Sequence, residues 1–311
     1  TYRGHRLFGM GLPSSGGITL AQALNLLEGY DLTSMDAAST LHHLIEAERL
    51  AYADRNAYLG DPEYVDVPLP GLLSADYAEQ RRQTIPEQAS EAIALPGNPL
   101  PFQNDPSPSL TGPAVAVGTG PTCTSTTHLT VADGQGNVVA YTFTIEMTGG
   151  SGIVVPGYGF LLNNELTDFD AEVPHPNTPE AGKRPRSSMA PTIVRSPDGS
   201  ILALGSPGGP TIITTVLQVL VNWLDREMPL ERAIAVPRLS QRNQGGTTAE
   251  AAFLSTEIAD DLRSMGHTFE SRDELGAVTA ILIQPNGTLQ AIAEPTRSTG
   301  GSAMTVTSIL K

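Results

Sequence analysis

The tract Thr122-Cys123-Thr124-Ser125-Thr126-Thr127-His128 puts a run of hydroxyls where a proline-rich stretch meets a β-rich one. A threonine at a chain terminus can act as a nucleophile without a separate base, because its own α-amine takes the hydroxyl proton. That amine has a pKa of about 7.7–8, close to working pH. The chemistry requires a cut between Ser125 and Thr126. The residues alone leave a second reading open, since paired threonines are also what β-propensity puts at the start of a strand. Other familiar chemistry lacks its parts. Gly205-Ser206-Pro207-Gly208-Gly209 fails the G-x-S-x-G spacing, and neither a P-loop nor a dinucleotide fingerprint occurs. The six histidines are scattered and there is one cysteine, so no metal site and no cofactor is expected.

The elements around Thr126 must hold it. Pro13-Ser14-Ser15-Gly16-Gly17 reads as a turn into a helix over 18–28. Thr33 or Ser34 is placed to cap a longer helix, in which Leu41, Leu44, Ile45, Leu50 and Ala51 recur near helical spacing and Gly60-Asp61-Pro62 is the stop. A short helix is expected over 75–83. Between Ala92 and Thr122, Pro96, Pro99, Pro101, Pro106, Pro108, Pro113 and Pro121 punctuate a tract with little apolar periodicity. A long loop of this kind inside a domain is usually functional or disordered.

Three hairpins follow. The runs 126–132 and 137–145 flank Asp133-Gly134-Gln135-Gly136. Runs 192–196 and 201–204 flank Pro197-Asp198-Gly199, and runs 278–284 and 289–293 flank Pro285-Asn286-Gly287. Helices are expected from Pro210 to about Asp225 and over 256–265, the latter ending at Gly266. Strands and helices come in blocks, which predicts an α+β fold with stacked antiparallel sheets rather than βαβ alternation.

Composition sets outer bounds. Of 311 residues, 40% are hydrophobic and 16% charged, an ordinary globular balance, while 31 Gly and 25 Pro foretell many turns. The net charge of −15 is spread along the chain, with 6 basic against 14 acidic residues in 1–125 and 12 against 19 in 126–311. Such acidity disfavours nucleic acid and anionic membrane as partners. The most apolar stretch, Ile212 to Leu224, is the length of a buried helix and too short for a membrane span. Cys123 alone allows no internal disulfide framework. The chain opens at Thr1 without an initiator Met, so it reads as a piece of something longer.

Several motifs occur in an order that resembles the γ-glutamyltransferase family. Thr126-Thr127-His128 with Asp133 and Gly136-Asn137 is similar to the start of the family's small subunit. So are Gly159-Phe160-Leu161-Leu162-Asn163-Asn164-Glu165 with Asp168-Phe169, Lys183-Arg184-Pro185-Arg186-Ser187-Ser188-Met189, and Gly205 to Gly209. Upstream, Pro13 to Gly17, Ala51-Tyr52-Ala53-Asp54-Arg55 and Gly60-Asp61-Pro62 resemble the end of the large subunit, and Glu294-Pro295-Thr296-Arg297 matches near the C-terminus. The resemblance implies a four-layer αββα sandwich of the N-terminal-nucleophile hydrolase type. It divides the chain into 1–125, the end of the large subunit closing in a processing loop at about 92–125, and 126–311, the whole small subunit. The N-terminal part of the large subunit would then be absent.

Carried over residue by residue, the resemblance makes Thr126 the nucleophile freed by self-cleavage after Ser125, and Thr144 its hydrogen-bonding partner. Gly208 and Gly209 supply oxyanion-hole N–H groups. Glu165 and Asp168 hold a substrate α-ammonium, and Ser187 and Ser188 hold its α-carboxylate. Glu146 stands where many members have an asparagine, so it either strengthens ammonium binding or marks another acyl preference. The short segment between Asp168 and Lys183 implies an enzyme without the lid of some relatives. The family's carboxylate-binding arginine has no counterpart in this chain.

The implied activity is transfer of a γ-glutamyl group from glutathione or another small γ-glutamyl amide to water or an amino acid, with no cofactor and with the two cleavage fragments remaining associated. A cephalosporin-type acylase or a poly-γ-glutamate amidase on the same scaffold, or a truncated and silent chain, stands as the alternative. The family suggests a periplasmic or secreted location, and a cytoplasmic one stays open.

Overall fold

The computed structural model describes residues 1–89, 92–103, 125–297 and 300–306. Most of the proline-rich tract, Cys123 included, lies outside the described residues. Eight α-helices are described: α1 (Gly16–Leu27), α2 (Ala37–Tyr58), α3 (Leu69–Leu72), α4 (Ala75–Arg82), α5 (Ile212–Leu224), α6 (Leu230–Ala235), α7 (Ala251–Leu254) and α8 (Glu257–Ser264). The strands are β1 (Arg6–Gly9), β2 (Thr126–Ala132), β3 (Val138–Thr144), β4 (Thr192–Arg195), β5 (Ile201–Gly205), β6 (Leu239–Ser240), β7 (Thr247–Glu250), β8 (Phe269–Arg272), β9 (Thr279–Ile283) and β10 (Leu289–Ala293).

The central sheet is antiparallel in the order β1-β4-β5-β9-β10. Its period-two alternation separates two faces. Val194, Leu202, Leu204, Ala280 and Leu282 join the helical core with residues of α1, α2 and α5. On the other face Gly205 and Thr279, which are register partners, meet the β2–β3 hairpin. The His128 ring stands where a side chain on Gly205 would lie, and Thr279 Oγ1 donates to the His128 carbonyl at 3.3 Å. The order is therefore helices, sheet, hairpin. Beyond it, the hairpin's outer side chains Leu129, Val131, Val139, Tyr141 and Phe143 are exposed.

All three predicted hairpins form, within a residue or two of the expected ends. Helix α2 does not start where expected. Ser34 turns back on Asp31, and the cap is Asp36, whose carboxylate accepts the Ser39 N–H at 2.7 Å. The chain also forms a third sheet, β6-β7-β8, that the sequence did not suggest. In it β8 runs parallel to β7, because α7 and α8 carry the chain back to the same end. The Gly60-Asp61-Pro62 stop has a further use. Asp61 accepts Arg184 N–H and Nε at 2.9 Å each and Arg184 Nη2 at 2.6 Å. These bonds hold its carboxyl well below the usual range and join the end of α2 to the segment that carries Ser187 and Ser188.

Candidate active site

Thr126 opens β2 and lies opposite Thr144, the last residue of β3. Its hydroxyl donates to Thr144 Oγ1 at 3.0 Å. The same Thr144 oxygen accepts the Glu146 N–H at 2.8 Å, and Ser125 N–H extends the ladder to the Glu146 carbonyl at 3.2 Å. Thr126 shares a strand face with His128, two residues on. His128 itself is buried, and burial lowers its pKa to about 4, so the ring is neutral at working pH. Its Nδ1 lies 2.7 Å from Thr142 Oγ1. This histidine is a packing element between hairpin and sheet.

One carboxylate, that of Glu146, follows the threonine pair directly, and those of Glu165 and Asp168 are coupled to it electrostatically. Glu146 has a φ of 73°, uncommon for a side-chain-bearing residue, and Asn164 fixes it. Asn164 Nδ2 donates to Glu146 Oε2 at 2.5 Å, while Asn164 Oδ1 accepts the Met147 N–H at 2.9 Å. Glu165 and Asp168 bound a single 3-10 turn. Burial, then the charge of Glu146, raises the Glu165 pKa. Burial, then the charges of Glu165 and Glu146, pushes Asp168 up to about 7. Carboxylates crowded in this way favour a cation among them.

Ser187 and Ser188 are buried. The turn before α1 clamps their backbone. Ser15 donates its N–H and its hydroxyl to the Ser187 carbonyl at 2.8 Å each, and Ser14 Oγ donates to the Met189 carbonyl at 2.7 Å. Gly16 approaches Met189 so closely that any side chain would meet its carbonyl oxygen. Each serine oxygen already accepts a protein donor: Ser187 takes Met189 N–H at 3.2 Å, and Ser188 takes Arg55 Nη2 at 2.9 Å. Their own O–H protons remain to be donated, which suits an anion.

The glycine loop 205–209 runs from β5 into α5. Gly208 and Gly209 have φ of 144° and 56°, which glycine adopts without strain. The Gly208 carbonyl is turned towards the helix, accepting Thr211 N–H at 3.2 Å and Thr211 Oγ1 at 2.8 Å. Neither glycine N–H donates to another described residue.

Thr126, Thr144 and Glu146 are thus in direct contact. Glu146, Glu165 and Asp168 form one electrostatic cluster, Asn177 and Arg186 link it to the segment of Ser187 and Ser188, and Gly208 and Gly209 lie past the end of β5. Neither Asn164 nor Arg55 has a role legible in the sequence, although both lie inside motifs quoted above. Among the described residues no His, Cys, Asp and Glu group is arranged to hold a metal, and no helix is long and apolar enough to cross a membrane.

The chain is similar to several known proteins. The glutathione hydrolase proenzyme of Bacillus subtilis (strain 168) is 40% identical over 310 residues, 96% of this chain and 51% of that protein. The cephalosporin acylase from Bacillus halodurans superposes with a TM-score of 0.80 at 28% identity, over 97% of this chain and 51% of that one. A solved chain of γ-glutamyltranspeptidase from Pseudomonas nitroreducens, complexed with L-DON, is covered completely by 58% of this chain, with a TM-score of 0.53 and 36% identity. The chain spans about half the length of the curated relatives it matches. Since the γ-glutamyltranspeptidase profile also matches residues 1–304, across both the clamp turn and the threonine hairpin, the chain belongs to the γ-glutamyltranspeptidase family.

Proposed function

We propose that this chain carries the processing and catalytic part of a γ-glutamyl hydrolase or transferase, with Thr126 as its nucleophile. The Thr126 hydroxyl first attacks the Ser125 carbonyl, and water opens the resulting ester, leaving Thr126 with a free α-amine. That amine takes the hydroxyl proton as Oγ1 attacks the γ-carbonyl of a γ-glutamyl amide. The Gly208 and Gly209 N–H groups stabilise the oxyanion, aided by the N-terminus of α5. The leaving amine takes the proton and a γ-glutamyl ester remains. Water then releases glutamate, and an amino acid or peptide amine gives a new γ-glutamyl amide. No cofactor takes part.

The observation that carries this reading is the Thr126–Thr144 hydrogen bond of 3.0 Å, which orients the hydroxyl beside Glu146 and the acidic cluster. Glu165 and Asp168 fit an α-ammonium, and Ser187 and Ser188 fit an α-carboxylate. Division into 1–125 and 126–311 is supported by the Pseudomonas nitroreducens chain, which is matched whole by a share of this chain close to the part after Ser125. The fragments stay together in this proposal, because α1 and α2 share one core with β4, β5 and α5. The test compares γ-glutamyl and glutaryl p-nitroanilides on wild type and Thr126→Ala. Preference for the γ-glutamyl compound, abolished in the variant, is the expected result.

The likeness to a cephalosporin acylase favours one second reading. A wild-type preference for the glutaryl anilide, which lacks the α-amine, would establish it and direct attention to Glu146.

A further inference from the structure

The motif Ala51-Tyr52-Ala53-Asp54-Arg55 takes no part in the chemistry proposed above, yet Arg55 is buried directly behind Ser188. Its Nε donates to Ser15 Oγ at 2.8 Å, Nη2 to Ser188 Oγ at 2.9 Å and Nη1 to Asn56 Oδ1 at 3.2 Å. All three acceptors are neutral. Other buried arginines each have a carboxylate partner: Arg81 has Asp54 at 3.2 Å, Arg186 has Asp170 at 3.1 Å, Arg238 has Glu294 at 2.7 Å and Arg297 has Glu250 at 2.5 Å. Among the described residues Arg55 has none within ion-pair distance. A buried guanidinium without an anion is costly. Burial lowers its pKa, and Asp170 and Asp168 act on it only from further away.

The direction of the hydrogen bond matters. Because Arg55 donates to the Ser188 oxygen, the Ser188 proton is turned away from the guanidinium, and a cationic donor behind a hydroxyl strengthens the bond the hydroxyl makes in front. A carboxylate in front of Ser188 completes the series from guanidinium to hydroxyl to anion and supplies the missing counter-charge. We infer that Arg55 is a positioning residue for the substrate α-carboxylate, acting through the Ser188 hydroxyl rather than by direct contact. The inference rests on the γ-glutamyl reading. It also accounts for arginine at this position, since three acceptors in one fork suit a guanidinium and not an ammonium.

Three p-nitroanilides divide the head group. The γ-glutamyl compound has ammonium and carboxylate, the glutaryl compound carboxylate only, and the 4-aminobutyryl compound ammonium only. They are assayed on the complete self-cleaved polypeptide at about pH 8.5, above the titration of the carboxylates. Arg55→Met is expected to raise KM for the two carboxylate-bearing substrates by about 10–100-fold. The loss on these two exceeds that on the 4-aminobutyryl anilide by at least about tenfold, and Arg55→Lys recovers part of it.

Ser188→Ala gives the same pattern, and adding Arg55→Lys to it costs less than about a further twofold, because both act along one path. These two variants carry the test if Arg55→Met does not fold. Equal losses on all three substrates, or full additivity with Ser188→Ala, overturn the inference and leave Arg55 a structural cation. A wild-type enzyme that handles the 4-aminobutyryl anilide as well as the other two refutes the parent γ-glutamyl reading, and this inference with it.

Discussion

The Asn177 side-chain amide holds the Asp168 carbonyl oxygen at 2.7 Å, and this contact ties the acidic end of the site to its hydroxyl end. The same Nδ2 reaches Asp170 Oδ2 at 2.8 Å, and Oδ1 accepts the Arg186 N–H at 2.8 Å. Arg186 immediately precedes Ser187 and Ser188. One buried amide therefore sets the distance between the carboxylates and the serines. The proposed substrate carries its ammonium and carboxylate on a single carbon, so little variation in that distance is tolerable.

Asn177→Ala should accordingly act on stability and binding together. It strands the Arg186 N–H and the Asp168 carbonyl in a buried setting, a loss of about 1–3 kcal/mol. Denaturant unfolding measures that loss. In steady-state assays with the γ-glutamyl anilide, KM should rise more than kcat falls. An unchanged unfolding midpoint and KM would show that the two segments are held apart by something else.

The threonine pair yields a separable expectation. Thr126→Ala should remove both self-cleavage and turnover, seen as an uncut band on a denaturing gel and no anilide release. Thr126→Ser should keep part of both. Thr144→Ala removes only the acceptor that orients the Thr126 hydroxyl, so turnover should slow by roughly 10–100-fold without vanishing. A Thr126→Ala protein that still turned over substrate would exclude an N-terminal threonine mechanism.

The C-terminal motif has a structural use that stability measurements can isolate. Arg297 holds Glu250 through Nε at 2.5 Å and Nη2 at 2.6 Å, and Glu294 through Nη1 at 2.7 Å. Arg238 closes the group on Glu294 at 2.7 Å. Arg297→Met leaves two buried carboxylates short of charge, which should cost about 3–5 kcal/mol in denaturant unfolding. A loss below about 1 kcal/mol would mean that backbone donors and Arg238 suffice.

Local chemistry was readable in the sequence where it was self-contained. The turn of the β2–β3 hairpin is closed by its own Asp133, which accepts the N–H groups of Gln135 and Asn137 at 2.9 Å each. The start of α2 was harder, because Thr33, Ser34 and Asp36 are all plausible caps and tertiary packing decides between them. Strands β6 and β7 are buried throughout and two to four residues long, so they carry no alternation to read. Within the site, the direct contact of Thr126 with Thr144 was expected through the family resemblance. Arg55 and Asn177 were not, because their partners come from distant segments: Arg55 and Ser188 are 133 positions apart. Nothing in an isolated arginine or asparagine reveals that the fold will bury it.

The Asp168 carboxyl provides the sharpest test, because stability and binding depend on pH in opposite senses. Burial, with Glu165 and Glu146 assisting and Arg55 and Arg186 opposing, raises its pKa to about 7 in the folded chain, against about 3.9 unfolded. Between those values the folded state keeps a proton that the unfolded state has released. Stability therefore falls as pH rises through this window, and the full cost is present above about 7. Asp168→Asn removes that cost. Its Tm should exceed that of wild type at about pH 8, with the gain shrinking to nothing near pH 4. Ammonium binding needs the ionised carboxylate and follows the opposite course. The ratio of kcat/KM for the γ-glutamyl anilide to that for the glutaryl anilide should rise as pH passes through about 7, by roughly 10–100-fold. The Thr126 α-amine titrates in both reactions and cancels in the ratio. In Asp168→Asn the ratio should be low and flat. A flat wild-type profile, or an equal loss on both anilides in the variant, would assign Asp168 a structural role and remove it from the ammonium site.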